Sequence, residues 1–148
     1  MDVTTIVDDC RAQVDWYGKL LKLAQLQHAL VEQERTDDLL VVLDRRSKIV
    51  EQLTLIESRL RPVKSEWHAI APTIDVESRL AIEEKFAAAR DLLAQITRSD
   101  QDDALLLQQR KLAVGRQLQH TTAARQVNRG YAANAYGGKV GGRMDVSQ

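Results

Sequence analysis

The stretch that decides the fold is residues 20–60, LLKLAQLQHALVEQERTDDLLVVLDRRSKIVEQLTLIESRL. It reads as two helical stripes separated by a short polar break. Up to the break, apolar or small residues recur at steps of three and four: Val7, Cys10, Val14, Tyr17, Leu21, Ala24, His28 and Val31. This spacing predicts one helix of about seven turns with a continuous stripe. Beyond the break the same spacing returns in Leu39, Val42, Arg46, Ile49, Leu53, Ile56, Leu60, Val63 and Trp67. The break itself, Glu34-Arg35-Thr36-Asp37-Asp38, has room only for a turn between antiparallel helices, with Thr36 or Asp37 placed to cap the second. Arg46 is the charged exception on the second stripe, and its apolar stem allows the guanidinium to snorkel out to water.

Toward the N-terminus, Thr4 or Thr5 is positioned to cap the first helix, with Asp8 and Asp9 facing the positive end of its dipole. Gly18, inside that helix, costs up to about 1 kcal/mol relative to alanine. In the other direction Pro62 is expected to kink or end the second helix near Arg61. Residues 64–73, with Trp67, Ile70 and Pro72, read as a packed corner or a frayed helical extension. A third stripe starts near Asp75 and runs Ile82, Phe86, Ala89, Leu93 and Ile96. Continued in register it would place Asp100 and Asp103 on the packed face, then Leu107, Arg110 and Val114. Two acids there imply either a turn at residues 97–100 or one long helix passing a wet point, and the sequence leaves both open.

After about Thr121 the periodicity dissolves, and five of the seven glycines fall between residues 130 and 142. The expected architecture is all-α: an elongated antiparallel bundle or hairpin of three to four long helices. The helical body would occupy residues 1–120, and a flexible, Gly-containing basic tail residues 121–148. Length agrees, since 148 residues with 44% hydrophobic side chains suit one domain. The formal charge is zero but uneven: residues 1–103 hold 14 Lys/Arg against 20 Asp/Glu, and residues 104–148 hold 7 against a single acid, Asp145. The acidic, charge-broken start MDVTTIVDDC does not resemble a secretory signal, and no apolar run approaches the roughly 20 residues that cross a bilayer. With one cysteine, Cys10, these features point to a cytoplasmic protein.

Chemistry is sparse. His28, His68 and His120 are 40 and 52 residues apart, without metal-ligand spacing, and His28 falls on a helix stripe where it suits packing or an interface. Cys10 lies on the same stripe and reads as a buried packing residue. Gly138-Lys139 is followed by Val140, so the phosphate-loop pattern fails. Asp100, Asp102 and Asp103 lack the glycine and terminal glutamate of a calcium loop and read as a cap or a solvated face. The expectation is a protein that is not an enzyme and takes no cofactor or metal. Arg110, Lys111, Arg116, Arg125, Arg129, Lys139 and Arg143 are too dispersed, on too acidic a body, for nucleic-acid binding to be expected.

Protein binding fits better. Leu105, Leu106 and Leu107 spread over more of a helix circumference than one intramolecular contact covers, so one side is available to an amphipathic partner helix. The competing reading buries them in the last helix of a four-helix bundle. The candidate protein-binding residues are Leu105, Leu106, Leu112, Leu118, Val127, Tyr131 and Tyr136.

At this point the chain resembles the FlgN-like flagellar export chaperones. The resemblance rests on residues 20–60 with the acidic turn at Asp37-Asp38 and the basic segment Asp44-Arg45-Arg46-Ser47-Lys48. It continues in Asp100-Gln101-Asp102-Asp103-Ala104-Leu105-Leu106-Leu107, where the family tends to carry Asn-x-x-Asn before paired leucines, and in Tyr136-Gly137-Gly138. In this sequence Asp100 and Asp103 stand where those asparagines would be. The resemblance implies a chaperone that binds flagellar hook-associated subunits, the hook–filament junction proteins, before type III export, with export-apparatus components as further partners. Their amphipathic terminal helices would pair with the apolar face from Leu105 through Leu112 to Leu118. The alternatives are a helical adaptor, a self-associating coiled coil or homodimer, and, less favoured, a weak nucleic-acid binder.

Overall fold

A computed structural model describes residues 2–131, with side chains through residue 121. Among these the chain is all-α: α1 (Val3–Glu32), α2 (Thr36–Ser65), a short α3 (Trp67–Ile70), a 3₁₀ turn (Ala71–Thr73) and α4 (Val76–Tyr131). Three helices are long, and no strand occurs among the described residues. The chain divides into two units, Met1–Asp103 and Ala104–Gln148, and α4 is a single helix across that division. It passes residues 97–100 without a turn, and it continues beyond Thr121 to Tyr131.

Within the first unit, side-chain pairs fix the topology. Asp9 meets Arg59, Gln13 meets Glu57, and Gln27 meets Arg46, so α1 and α2 run antiparallel. Asp103 meets Gln27, and Asp100 meets Arg46, so α4 returns alongside α1 and antiparallel to α2. The apolar core has two layers. Ile6, Cys10, Ile56, Leu60, Val63 and Ile82 form one, with Trp16, Trp67 and Phe86 packed against it. Leu20, Ala24, Ile49, Leu53 and Ile96 form the other. Full burial of a side chain such as Leu60, which is 0% exposed, contributes about 1.5–3 kcal/mol.

The predicted α2 stripe is the buried one: Val42, Ile49, Leu53, Ile56, Leu60 and Val63 are all interior. On α1 the buried stripe is rotated by about one residue from the expected line. Cys10, Ala24 and Val31 are shared, but Gln13, Leu20 and Gln27 are buried where Val14, Leu21 and His28 were expected and are only half-buried. A stripe drawn through apolar residues alone misses two glutamines whose amides are hydrogen-bonded inside. On α4, Ile82, Ala89 and Ile96 are interior as expected, whereas Leu93 is exposed.

The helix ends also differ from expectation. Asp2, not Thr4 or Thr5, caps α1, accepting from the Thr4 N–H at 3.3 Å. The α1–α2 turn closes with backbone bonds from Glu34 N–H to Val31 O and from Arg35 N–H to Leu30 O, the Schellman arrangement. It places Glu34 at φ 57°, a left-handed conformation that favours glycine. Arg35 then occupies the cap position of α2 without a side-chain cap bond, displacing Thr36 and Asp37 from that role, and pairs with Asp38. Pro62 does not end α2, which continues to Ser65. Leu60 and Val63, 0% and 1% exposed, flank the proline, and their burial outweighs the one backbone bond it removes. Asp75 starts α4 by accepting from the Ser78 N–H at 2.9 Å, and that bond holds its carboxyl below the usual range.

Candidate functional site

Two features of α4 bear on function: a polar layer at Asp100 and Asp103, and the leucine-rich helix that follows. The third stripe carries both acids onto the packed face, as its register predicts, and α1 and α2 supply their partners. Arg46 donates to both oxygens of Asp100, each at 2.7 Å, and to Gln27 Oε1 at 2.6 Å. Its side chain is only 14% exposed, so the guanidinium does not snorkel outward. A fork-shaped donor satisfied by one carboxylate and one amide costs less inside than an unpaired charge would. Its hydrogen bonds to Asp100 raise the Arg46 pKa still further, which keeps the charge fixed.

Gln27 passes the network on, donating from Nε2 to Asp103 Oδ2 at 3.0 Å. The other Asp103 oxygen lies 2.6 Å from His28 Nδ1, and His28 Nε2 lies 2.9 Å from Glu32 Oε1. Two carboxylates, one at each ring nitrogen, favour the doubly protonated imidazole. The His28 pKa is therefore raised, chiefly by the Asp103 hydrogen bond. Asp103 is 2% exposed, so the acidic cluster is not a solvated face or a cap at that position. Among the described residues no buried side-chain polar atom lacks a partner.

Cys10 sits in the apolar core at 1% exposure, and burial pushes its thiol up to about 11, against a weaker opposing effect from Lys64. It packs and is not reactive. Among the described residues no group of three His, Cys, Asp or Glu could hold a metal ion, and no helix is long and apolar enough to cross a membrane.

Past Asp103 the helix changes character. Leu105, Leu107, Leu112 and Val114 are 57%, 45%, 54% and 52% exposed, while Leu106 and Leu118 are half-buried. At about 100° per residue, Leu105 and Leu112 fall on one side of α4, and Leu107, Val114 and Leu118 on roughly the opposite side, with Leu106 between. The expected single face from Leu105 through Leu112 to Leu118 is thus divided. Leu105 and Leu112 form one stripe, and Leu118 lies with Leu107 and Val114, which were not among the candidates, on the other, the pairs 105/112 and 107/114 each at the seven-residue spacing that pairs helices. Val127 and Tyr131 lie in α4, but their side chains are outside the described residues, as is all of Tyr136.

Sequence reading missed Gln13 and Gln27. The signal available was position: each falls on the heptad line that joins Ile6, Cys10, Leu20 and Ala24. Gln13 donates to Glu57 at 2.7 Å, and Glu57 also accepts from Lys64 at 3.0 Å. In comparisons with protein-family models, curated proteins and solved structures, nothing matches this chain.

Proposed function

We propose that this chain is a non-enzymatic cytoplasmic chaperone that covers the amphipathic terminal helices of flagellar hook-associated subunits before their type III export. The observation that carries the reading is the exposure of Leu105, Leu107, Leu112 and Val114, on both sides of a helix whose preceding segment has one face buried at Ile82, Ala89 and Ile96. An apolar stripe open to water is the receiving half of a helix-in-groove contact. The client class comes from the sequence resemblance, through residues 20–60, the 100–107 segment and Tyr136-Gly137-Gly138. Terminal helices built to assemble with neighbouring subunits aggregate when alone, and a temporary apolar cover suppresses this. Release requires a cover of low local stability, which a helix with few buried contacts supplies.

The test is light-scattering chromatography of the full chain with purified hook–filament junction subunits, repeated with Leu105→Glu and Leu112→Glu. A stoichiometric complex that both variants abolish supports the proposal. The seven-residue spacing also favours a second reading, self-association through the same stripes. A tight dimer that ignores every junction subunit and becomes monomeric in the variants establishes that reading instead.

A further inference from the structure

The leucine stripes leave unused a groove on the first unit. Tyr17 from α1, Trp67 from α3 and Phe86 from α4 line a half-open cavity of about 290 Å³. Trp67 and Phe86 meet edge to face at 5.5 Å, and Trp67 donates to Glu83 at 3.3 Å, so the aromatic walls are held from two sides. The Tyr17 hydroxyl, at the α1 wall, has its pKa raised by burial and by Glu57. At the mouth stand Arg90 and the exposed Leu93. From these two residues an open, shallow face of α4 continues past Ala94, Thr97 and Arg98 to Gln101. Positions 90, 93, 94, 97, 98 and 101 are spaced as one helical face, and span about 16 Å. Three turns of exposed surface ending in a half-open aromatic cavity match the footprint of a docked helix with one anchor side chain.

Charge identifies the occupant. The unit is acidic, yet neither the cavity nor the adjoining α4 face is lined by a carboxylate, and the charged residues that line them are Lys64, Arg90 and Arg98. Lys64 is held by Glu57 at 3.0 Å and lies 5.6 Å from the Phe86 ring, so its charge is already engaged. Arg90 and Arg98, two turns apart on one face, make no ion pair among the described residues. Two unpaired guanidiniums beside an apolar floor on an otherwise acidic surface select a ligand that is apolar on one side and acidic at two-turn spacing.

We propose that this groove docks an acidic amphipathic helix of a partner protein, seating one large apolar side chain against Tyr17 and Phe86 and carboxylates on Arg90 and Arg98. The face runs on the same side of α4 toward Leu105 and Leu112, and what sets the site apart from that stripe is the aromatic cavity with Arg90 and Arg98; it does not depend on the client proposed for the leucines.

The probe is a fluorescein-labelled helical peptide with leucines at i, i+4 and i+7 flanked by glutamates, beside an isomer with lysines in their place. Anisotropy with the full chain measures binding, and the indole N–H resonance of Trp67, one of only two tryptophans, reports where it occurs. Saturable binding of the glutamate peptide that shifts the Trp67 signal is expected, about ten-fold or more tighter than the lysine peptide. The double variant Arg90→Glu/Arg98→Glu should weaken it by a similar factor of about ten while leaving the unfolding midpoint unchanged, since both side chains are exposed. Leu112→Glu should leave it intact. Equal binding of the two peptides, or loss with Leu112→Glu but not with the arginine variant, overturns the proposal. A dimer of the free chain that dissociates in the arginine variant also overturns it, because the occupant is then a second copy.

Discussion

α4 carries apolar side chains along its whole length, but the segment before Asp103 and the segment after it treat them differently. Before Asp103 one face is buried, with Ile82, Ala89 and Ile96 at most 5% exposed while Val76, Leu80 and Leu93 on the other faces are open. After it Leu105, Leu107, Leu112 and Val114 are 45–57% exposed, and no large apolar side chain is fully buried among the described residues. The two segments do not differ in helicity. They differ in whether other helices supply a complementary face, and burial is a property of that match, not of the residue type. Between them lies the Arg46–Asp100–Gln27–Asp103–His28 layer, where the packed face switches from apolar to polar. A satisfied polar layer at one level also fixes helix register, because sliding α4 by a turn would strand Arg46 and Asp103 without partners.

The sharpest contrast sets Leu60 against Leu112. Leu60→Ala, in the interior layer, should cost about 2–5 kcal/mol, whereas Leu112→Ala should stay within about 0.5 kcal/mol in the free monomer, both by urea unfolding. Equal costs would mean that Leu112 is buried in solution, and the exposed-stripe reading would fall. Next in size is the polar layer. Asp103→Ala leaves the buried Gln27 amide without its acceptor and should cost about 1–3 kcal/mol.

A pH series sharpens the same layer. The folded pKa of His28 is raised above its usual 6.5, so its contribution is fully present below about pH 6 and fades as pH rises through the higher folded value. The stability difference between the wild-type chain and His28→Gln should therefore be largest near pH 6 and shrink toward pH 9, as followed by thermal melts. A difference that grows with pH would show that the imidazole is neutral between its two carboxylates.

Smaller effects test the helices themselves. A methyl group added at Gly18 meets open space, so Gly18→Ala should stabilise by about 0.5–1 kcal/mol. The Cys10 thiol, buried and raised to about 11, should react with a disulfide reagent at pH 8 only as fast as the first unit opens. Rapid labelling of the native chain would place that layer outside the core.

Much of this was legible in the residues. The steps of three and four, the polar break at 34–38 and the Asp75 start follow from helix geometry and local hydrogen bonding, and both act over a few neighbours. The α2 stripe could be read directly because only one of its inward positions, Arg46, is charged. The α1 stripe could not, because Gln13 and Gln27 are buried by virtue of Glu57, Asp103 and Arg46, which lie 19 to 76 residues away. The same distance hid the fate of Asp100 and Asp103. By itself the sequence determined the helices, the antiparallel hairpin and the leucine-rich segment, because periodicity encodes a face. Only the tertiary structure decided that α4 runs unbroken past its acids, that Arg46 turns inward, and that Leu93 joins Arg90 at the mouth of a groove. Each of those outcomes depends on which side chains of other helices arrive at the same level, and no local pattern records that.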